Sequence, residues 1–283
     1  MNQYENFDLT TFNSYRTKAI CRKAYFPDTE EEIREIYNSE RNIILLGSGH
    51  NIILSKSYYD EAFLILNGNF ANYSVENKTI IAEAGISMYD VAQLALYKSL
   101  SGLEMFTDIP SSLGGAIVMN AGANGEEIKD IVEKVRFLDL EDNHIKELSV
   151  GDLGFKYRNS FFQQNKSNIV LKAWLKLKVG DRKKIQSKMI KIRDARWAKQ
   201  PKEYPNAGSV FKRPDGRFVG PMLDELGLKG FSIGGAQVSE KHSGFIVNIN
   251  NAKGEDIVNL IKEIQKQVKS KLGVNLEVEQ RII

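Results

Sequence analysis

Asn42-Ile43-Ile44-Leu45-Leu46-Gly47-Ser48-Gly49-His50-Asn51-Ile52-Ile53-Leu54 is the stretch on which the fold turns. A short apolar run closed by glycine reads as a buried strand, because a helix needs ten or more residues to bury a face. The second apolar run follows at once, so the local geometry is strand, glycine turn, strand. Glycine lets a backbone approach closely without a Cβ, and successive N–H groups in such a turn make a nest for a phosphate. An ordinary tight turn explains the same residues, and the stretch alone leaves both readings open.

A second glycine stretch, Leu113-Gly114-Gly115-Ala116, is followed by Asn120-Ala121-Gly122-Ala123-Asn124. The whole region from Ile109 to Gly125 is rich in Gly, Ala, Ser and Asn and has little helical or strand pattern, which predicts a loop. Neither stretch is a Rossmann fingerprint, since no G-x-G-x-x-G opens a helix and no acid about 20 positions on ends a second strand. Two such loops in one chain are harder to explain as turns alone than as two nests for one dinucleotide pyrophosphate.

Working outward, Thr29-Glu30-Glu31-Glu32 predicts a capped helix opening on Ile33, Ile36 and Tyr37. Strands are expected at 62–66, 79–82, 132–140, 169–179 and 244–249. Ser87 with Asp90 caps a helix through Val91, Leu94 and Ala95. Ile185, Met189 and Ile192 share a helix face before Pro201 and Pro205, a plausible boundary. Ile257, Leu260, Ile261, Ile264 and Val268 mark an amphipathic helix ended by Gly273, and a last strand is expected over 275–283. Helices and strands interleave without a regular βαβ repeat, which is an α+β pattern.

Cys21 is the only cysteine, so no internal disulfide forms and a reducing compartment is expected. The first ten residues lack a base and an apolar core of a signal peptide, and no apolar run reaches the roughly 20 residues a spanning helix needs. A cytoplasmic location is expected. The net charge of +3 is small, and the lysines of 183–199 are interrupted at helical spacing, as on a solvated face. Nucleic-acid binding predicts a denser basic stripe with stacking aromatics. His50, His144 and His242 are scattered without ligand spacing, so no metal is expected.

Leu46 to Leu54 resembles the first FAD loop of the vanillyl-alcohol-oxidase type of flavin fold. Ser101-Gly102-Leu103-Glu104, Ile109-Pro110, Leu113 to Ala116 and Met119 to Ala123 are similar, in order, to the second loop of the UDP-N-acetylenolpyruvoylglucosamine reductases. Phe155 to Ser160, Tyr204 to Pro214 and Leu276 to Ile283 match in the same order. Gly234 to Asn248 resembles the shorter, second type of that family. The resemblance implies an FAD-binding region over 1–198, as two subdomains dividing near 55–70. It further implies an α+β substrate domain over 199–274 and a final strand, 275–283, returning to the FAD-binding region.

The activity implied is NADPH-dependent reduction of UDP-N-acetylglucosamine enolpyruvate to UDP-N-acetylmuramate, in peptidoglycan precursor synthesis. The FAD is expected to be non-covalent, because the second loop has no Cys and His50 is the only histidine near either loop. Adding hydride to an enolpyruvyl ether requires a proton donor at one alkene carbon and a group facing the carboxylate that holds the developing charge. The resemblance carries these roles to Arg158, Ser209 and Glu279. It assigns the cofactor to Gly47, Ser48, Gly49, His50, Asn51, Ile109, Pro110, Ser111, Gly114, Gly115, Asn120, Ala121 and Gly122. Tyr157, Lys199 and Arg213 are expected to meet the nucleotide-sugar substrate. Neither nucleic acid nor membrane is an expected partner, and the chain is expected to be a monomer or weak dimer. It departs from the family pattern at Lys18-Ala19, where two glycines are usual, and at His50, Asp108 and Ser111. An FAD enzyme of the same fold acting on another substrate, or a non-catalytic nucleotide-sugar-binding paralogue, are the alternatives.

Overall fold

The structure is a computed structural model that describes residues 1–214 and 216–283. Its chain forms two compact units. The first gathers Met1–Tyr4, Lys23–Ser48 and Glu61–Ala195, and the second gathers Glu5–Arg22, Gly49–Asp60 and Arg196–Ile283. The fold is α+β.

In the first unit, strand Ile43–Leu46 runs parallel to the latter half of strand Tyr58–Ile65, Ile43 opposite Ala62 and Leu46 opposite Ile65. Leu64 and Ile65 are fully buried, as expected of strands with both faces covered. An antiparallel sheet of five strands stands beside this pair. Its order is His144–Ser149, Val132–Asp139, Asn168–Lys176, Thr79–Glu83 and Tyr73–Glu76. Helix Glu30–Ser39 starts where Thr29 accepts from the Glu32 N–H, and helix Met88–Tyr97 where Ser87 accepts from the Asp90 N–H. Each such cap satisfies an N–H that has no partner inside the helix.

The region from Ile109 to Gly125 corrects the sequence expectation, for it contains the helix Leu113–Met119. Ser112 caps that helix through the Gly115 N–H, and Leu113, Ala116 and Ile117 are buried. Two glycines dilute the propensity, and seven residues are too few to show a periodic polar face, so the pattern was hidden. Asn120 ends the helix in the left-handed region, at φ 44°.

The second unit is organised by helix Gly254–Leu272, which closes on Gly273 at φ 69°. Ile257, Leu260, Ile261, Ile264 and Val268 are all buried, in one core with Ala236, Val238 and Ile246 of a three-stranded sheet. Full burial contributes roughly 1.5–3 kcal/mol for each aliphatic side chain, so this face holds the unit together. The final strand is shorter than expected. It spans Arg281–Ile282, parallel to Ile52–Ile53, while Val278 makes an isolated bridge to Phe211. The alternation over 275–283 signals extended backbone, and only its last part finds a parallel partner. No helix among the described residues is long and apolar enough to cross a membrane.

Candidate active site

The two glycine stretches meet inside the first unit. The Ser112 N–H donates to Ser48 Oγ at 3.0 Å. A Cβ at Gly47 would stand 2.6 Å from Ser112 Oγ, so a side chain there would displace the serine that caps the helix. The Leu113 and Gly114 N–H groups are already bonded, to the Ile86 and Ala84 carbonyls at 2.9 Å each. Ser111 Oγ is sealed from solvent with no hydrogen-bond partner among the described residues. Buried hydroxyls are normally satisfied, so this one is available to a bound polar group. Ile109 and Pro110 follow the short turn Glu104–Thr107, and Pro110 is exposed.

Asn120 is completely buried and spends its side chain on the fold. Its amide donates to the Glu127 carboxylate and the Lys156 carbonyl, both at 3.0 Å, and accepts from the Lys129 N–H. A Cβ at Gly122 would lie 2.2 Å from the Glu126 carbonyl. That glycine is required by the hairpin Gly122–Ala123 with Glu126–Glu127, whatever else approaches it. Beside it stands Arg158, whose guanidinium donates to the Gly122 carbonyl at 2.8 Å and lies with Cζ 5.2 Å from the Tyr157 ring centre. Arg158 has φ 52°. A non-glycine residue held there costs on the order of 1 kcal/mol or more and persists where its surroundings impose it. Gln163 imposes it, donating to the Arg158 carbonyl at 2.8 Å and to the Val118 carbonyl at 3.2 Å.

In the second unit Ser209 and Glu279 come together, although they lie 70 positions apart in the sequence. Ser209 bridges Phe245, the Val210 N–H donates to the Gly244 carbonyl, and the Glu279 N–H donates to the Val210 carbonyl at 2.8 Å. Ser209 is exposed and Glu279 half-buried, while Glu277 is exposed and paired with Lys212 at 2.6 Å. Asn51 donates its amide to the Glu279 carbonyl at 3.2 Å, so the first glycine stretch ends against the strand carrying the acid. Gly49, at φ 70°, is pressed so closely that a Cβ would lie 2.0 Å from the Phe12 carbonyl. His50 is half-buried, with Nδ1 sealed and unpartnered among the described residues. Burial and the charges of Arg16 and Lys202 push its imidazole down from an ordinary 6.5 to about 4, so it is neutral at physiological pH. Lys199 is exposed at the end of helix Arg182–Lys199, and Arg213 stacks with Cζ 4.1 Å from the Phe218 ring centre.

Comparison with known proteins identifies the frame. The family described as FAD binding domain matches residues 23–149, and the C-terminal domain of UDP-N-acetylenolpyruvoylglucosamine reductase matches 200–283. The reductase of Caldanaerobacter subterraneus subsp. tengcongensis is 49% identical over 99% of this chain and 93% of its own. The chain belongs to the UDP-N-acetylenolpyruvoylglucosamine reductases. The Francisella tularensis member is 39% identical over 99% of both chains. The crystal structure of the Thermus caldophilus reductase is similar at TM-score 0.85 and 29% identity, covering 99% of this chain and 98% of that one.

Within a reductase frame, the first unit fits a flavin dinucleotide. Its glycine-lined junction would be filled by a Cβ at Gly47, and Ser111 Oγ lacks a partner there. Two supporting residues were missed from sequence. Buried Gln280 donates to the Ala207, Gly208 and Ser209 carbonyls at 3.0, 3.2 and 3.4 Å, and accepts from the Tyr15 hydroxyl at 2.9 Å. Gln163 supports Arg158 in the same manner. Gln163 follows Phe162 and Gln280 lies between Glu279 and Arg281, and nothing in the sequence sets either amide apart from those neighbours.

Proposed function

We propose that this reductase takes hydride from NADPH through non-covalent FAD and delivers it to UDP-N-acetylglucosamine enolpyruvate, giving UDP-N-acetylmuramate for peptidoglycan synthesis. The observation that carries the reading is membership of the reductase family over 99% of the chain. Bound FAD would supply the hydride at the enolpyruvyl carbon. Gly47, Ser48, Gly49, His50, Asn51, Ile109, Pro110, Ser111, Gly114, Gly115, Asn120, Ala121 and Gly122 are the residues we assign to it.

The protein's own work concerns charge and proton. Arg158 offers a planar fork of donors to the substrate carboxylate, where charge gathers as hydride arrives. Its left-handed backbone, held by Gln163, fixes the direction of that fork. Ser209 delivers the proton to the neighbouring carbon. A serine hydroxyl is a weak acid, and Glu279, whose N–H donates to the carbonyl of the adjoining Val210, is the partner we assign to the enolic intermediate. Tyr157, Lys199 and Arg213 are assigned to the nucleotide sugar, Lys199 and Arg213 as cations for its phosphates. We read the enzyme as cytoplasmic, with no nucleic-acid or membrane partner, and as a monomer or weak dimer.

Anaerobic mixing tests this reading. NADPH should bleach the flavin absorbance, and the enolpyruvyl nucleotide added next should restore it. A flavin that NADPH reduces but the enolpyruvyl nucleotide leaves bleached would favour another substrate for the same fold.

A further inference from the structure

Arg158 sits in a turn that Lys156 and Asn159 close by exchanging two backbone hydrogen bonds, at 3.0 Å each. Turns that place their third residue at positive φ favour Gly or Asn there, and Arg158 occupies that place at φ 52°. What holds it comes from outside the turn. Asn120 donates to the Lys156 carbonyl at 3.0 Å, and Gln163 donates to the Arg158 carbonyl at 2.8 Å. The Arg158 guanidinium in turn reaches the Gly122 carbonyl at 2.8 Å.

These attachments share one post, the C-terminal end of helix Leu113–Met119. Carbonyls in the last turn of a helix lack partners inside it. That of Val118 accepts from the Ser160 hydroxyl at 2.8 Å and from the Gln163 amide at 3.2 Å. Asn120 is the left-handed residue that ends the same helix. A side-chain amide carries two N–H donors, and Gln163 spends them on one carbonyl of the helix and one of the turn, with Met119 Sδ at 3.4 Å beside them. Both carbonyls accept, so the amide nitrogen must face them, and a side chain without donors would leave the pair unbridged. Asn120 and Ser160 hold the neighbours of Arg158, whereas Gln163 holds the strained residue itself.

We propose that Gln163 is a positioning residue for the step that passes hydride to the enolpyruvyl carbon. By bridging the Arg158 and Val118 carbonyls it aims the guanidinium from the helix of the second glycine stretch, and it acts on the substrate only through Arg158. The proposal rests on the reductase reading and on the carboxylate role given there to Arg158. Without the bridge, the Arg158 backbone is free to relax toward the right-handed region, which turns the side chain out of its present direction.

The experiment compares FAD-loaded wild type, Gln163→Met, Arg158→Ala and the double variant in anaerobic single-turnover mixing. Gln163→Met keeps the length of the side chain and removes both donors. NADPH should bleach its flavin at near the wild-type rate. Re-oxidation by saturating enolpyruvyl nucleotide should slow about 10- to 100-fold, as expected when a strained backbone loses what imposes it. In the Arg158→Ala background the same substitution should slow re-oxidation by less than about twofold more, because groups that act as one unit are not additive. Gln163→Asn, whose amide falls one methylene short of the two carbonyls, should repeat the pattern and decides the matter where the methionine variant does not fold. With Arg158→Ala slow, the proposal is overturned by wild-type re-oxidation in the Gln163 variants, by equal slowing of both half-reactions, or by full additivity in the double variant. Arg158→Ala that re-oxidises at the wild-type rate would instead overturn the role given to Arg158, and that of Gln163 with it.

Discussion

The two glycine stretches look alike as sequence and differ in what forbids a side chain. In the first, Gly49 has a positive φ and faces a backbone oxygen at 2.0 Å from a built Cβ. In the second, Gly114 and Gly115 lie in a helix; a Cβ at Gly114 would stand 3.0 Å from Ala84 Cβ and 3.3 Å from the Ala84 carbonyl, whereas one at Gly115 would meet only Ser112 Oγ, at 3.3 Å. Backbone cannot move aside, but a serine side chain shifts by a few tenths of an ångström. Gly49 therefore has to be glycine for the fold, whereas the fold makes no such demand at Gly115, a residue we assign to the approach of the cofactor.

Gly49→Ala is the strongest way to break this contrast. A left-handed alanine alone costs roughly 1–2 kcal/mol, and relieving the contact with the Phe12 carbonyl adds to it. Denaturant melts of the apoprotein should show a loss of more than about 2 kcal/mol. A loss below 1 kcal/mol would mean that this turn is not fixed by its own backbone.

His50 sharpens the same contrast through pH. Its folded value near 4 lies below the ordinary 6.5, so the unfolded chain binds the extra proton between those values. Stability from the neutral ring is complete above about pH 6.5 and declines as pH falls toward 4, by at most about 1.4 kcal/mol per pH unit. Wild-type protein should thus lose more stability than His50→Gln between pH 7 and 4.5. Parallel stability curves would contradict the buried neutral imidazole.

Gly115→Ala should have the smallest effect on folding, within about 1 kcal/mol, because gained helix propensity offsets a disturbed cap. FAD affinity should nonetheless fall by about tenfold, or 1.4 kcal/mol. Normal FAD binding in this variant would remove the second stretch from the cofactor site.

How much of this was legible depended on range. Ile43 to Leu46 and the turn after it were readable because apolar runs and glycine act locally. So was the face of Ile257, Leu260, Ile261, Ile264 and Val268, long enough to repeat. Helix Leu113–Met119 was not, since two glycines and one turn and a half of apolar residues resemble a loop. The nearness of Ser209 and Glu279 depends on a bridge between Phe211 and Val278, and the junction of Ser48 with Ser112 depends on tertiary packing. No spacing encodes either. Nor does sequence show that Asn120 and Gly122 are bound to the fold by their own hydrogen bonds and backbone contacts.

The central claim is that Ser209 serves the second half-reaction and leaves the first alone. Ser209→Ala should be reduced by NADPH at near the wild-type rate, with an unchanged flavin spectrum as the control for folding. Its re-oxidation by the enolpyruvyl nucleotide should slow by about 10² to 10⁴-fold, the usual contribution of a general acid. Single-turnover mixing under anaerobic conditions measures the two rates separately. Equal slowing of both half-reactions would show Ser209 supporting the flavin environment, and the proton-donor assignment would be wrong.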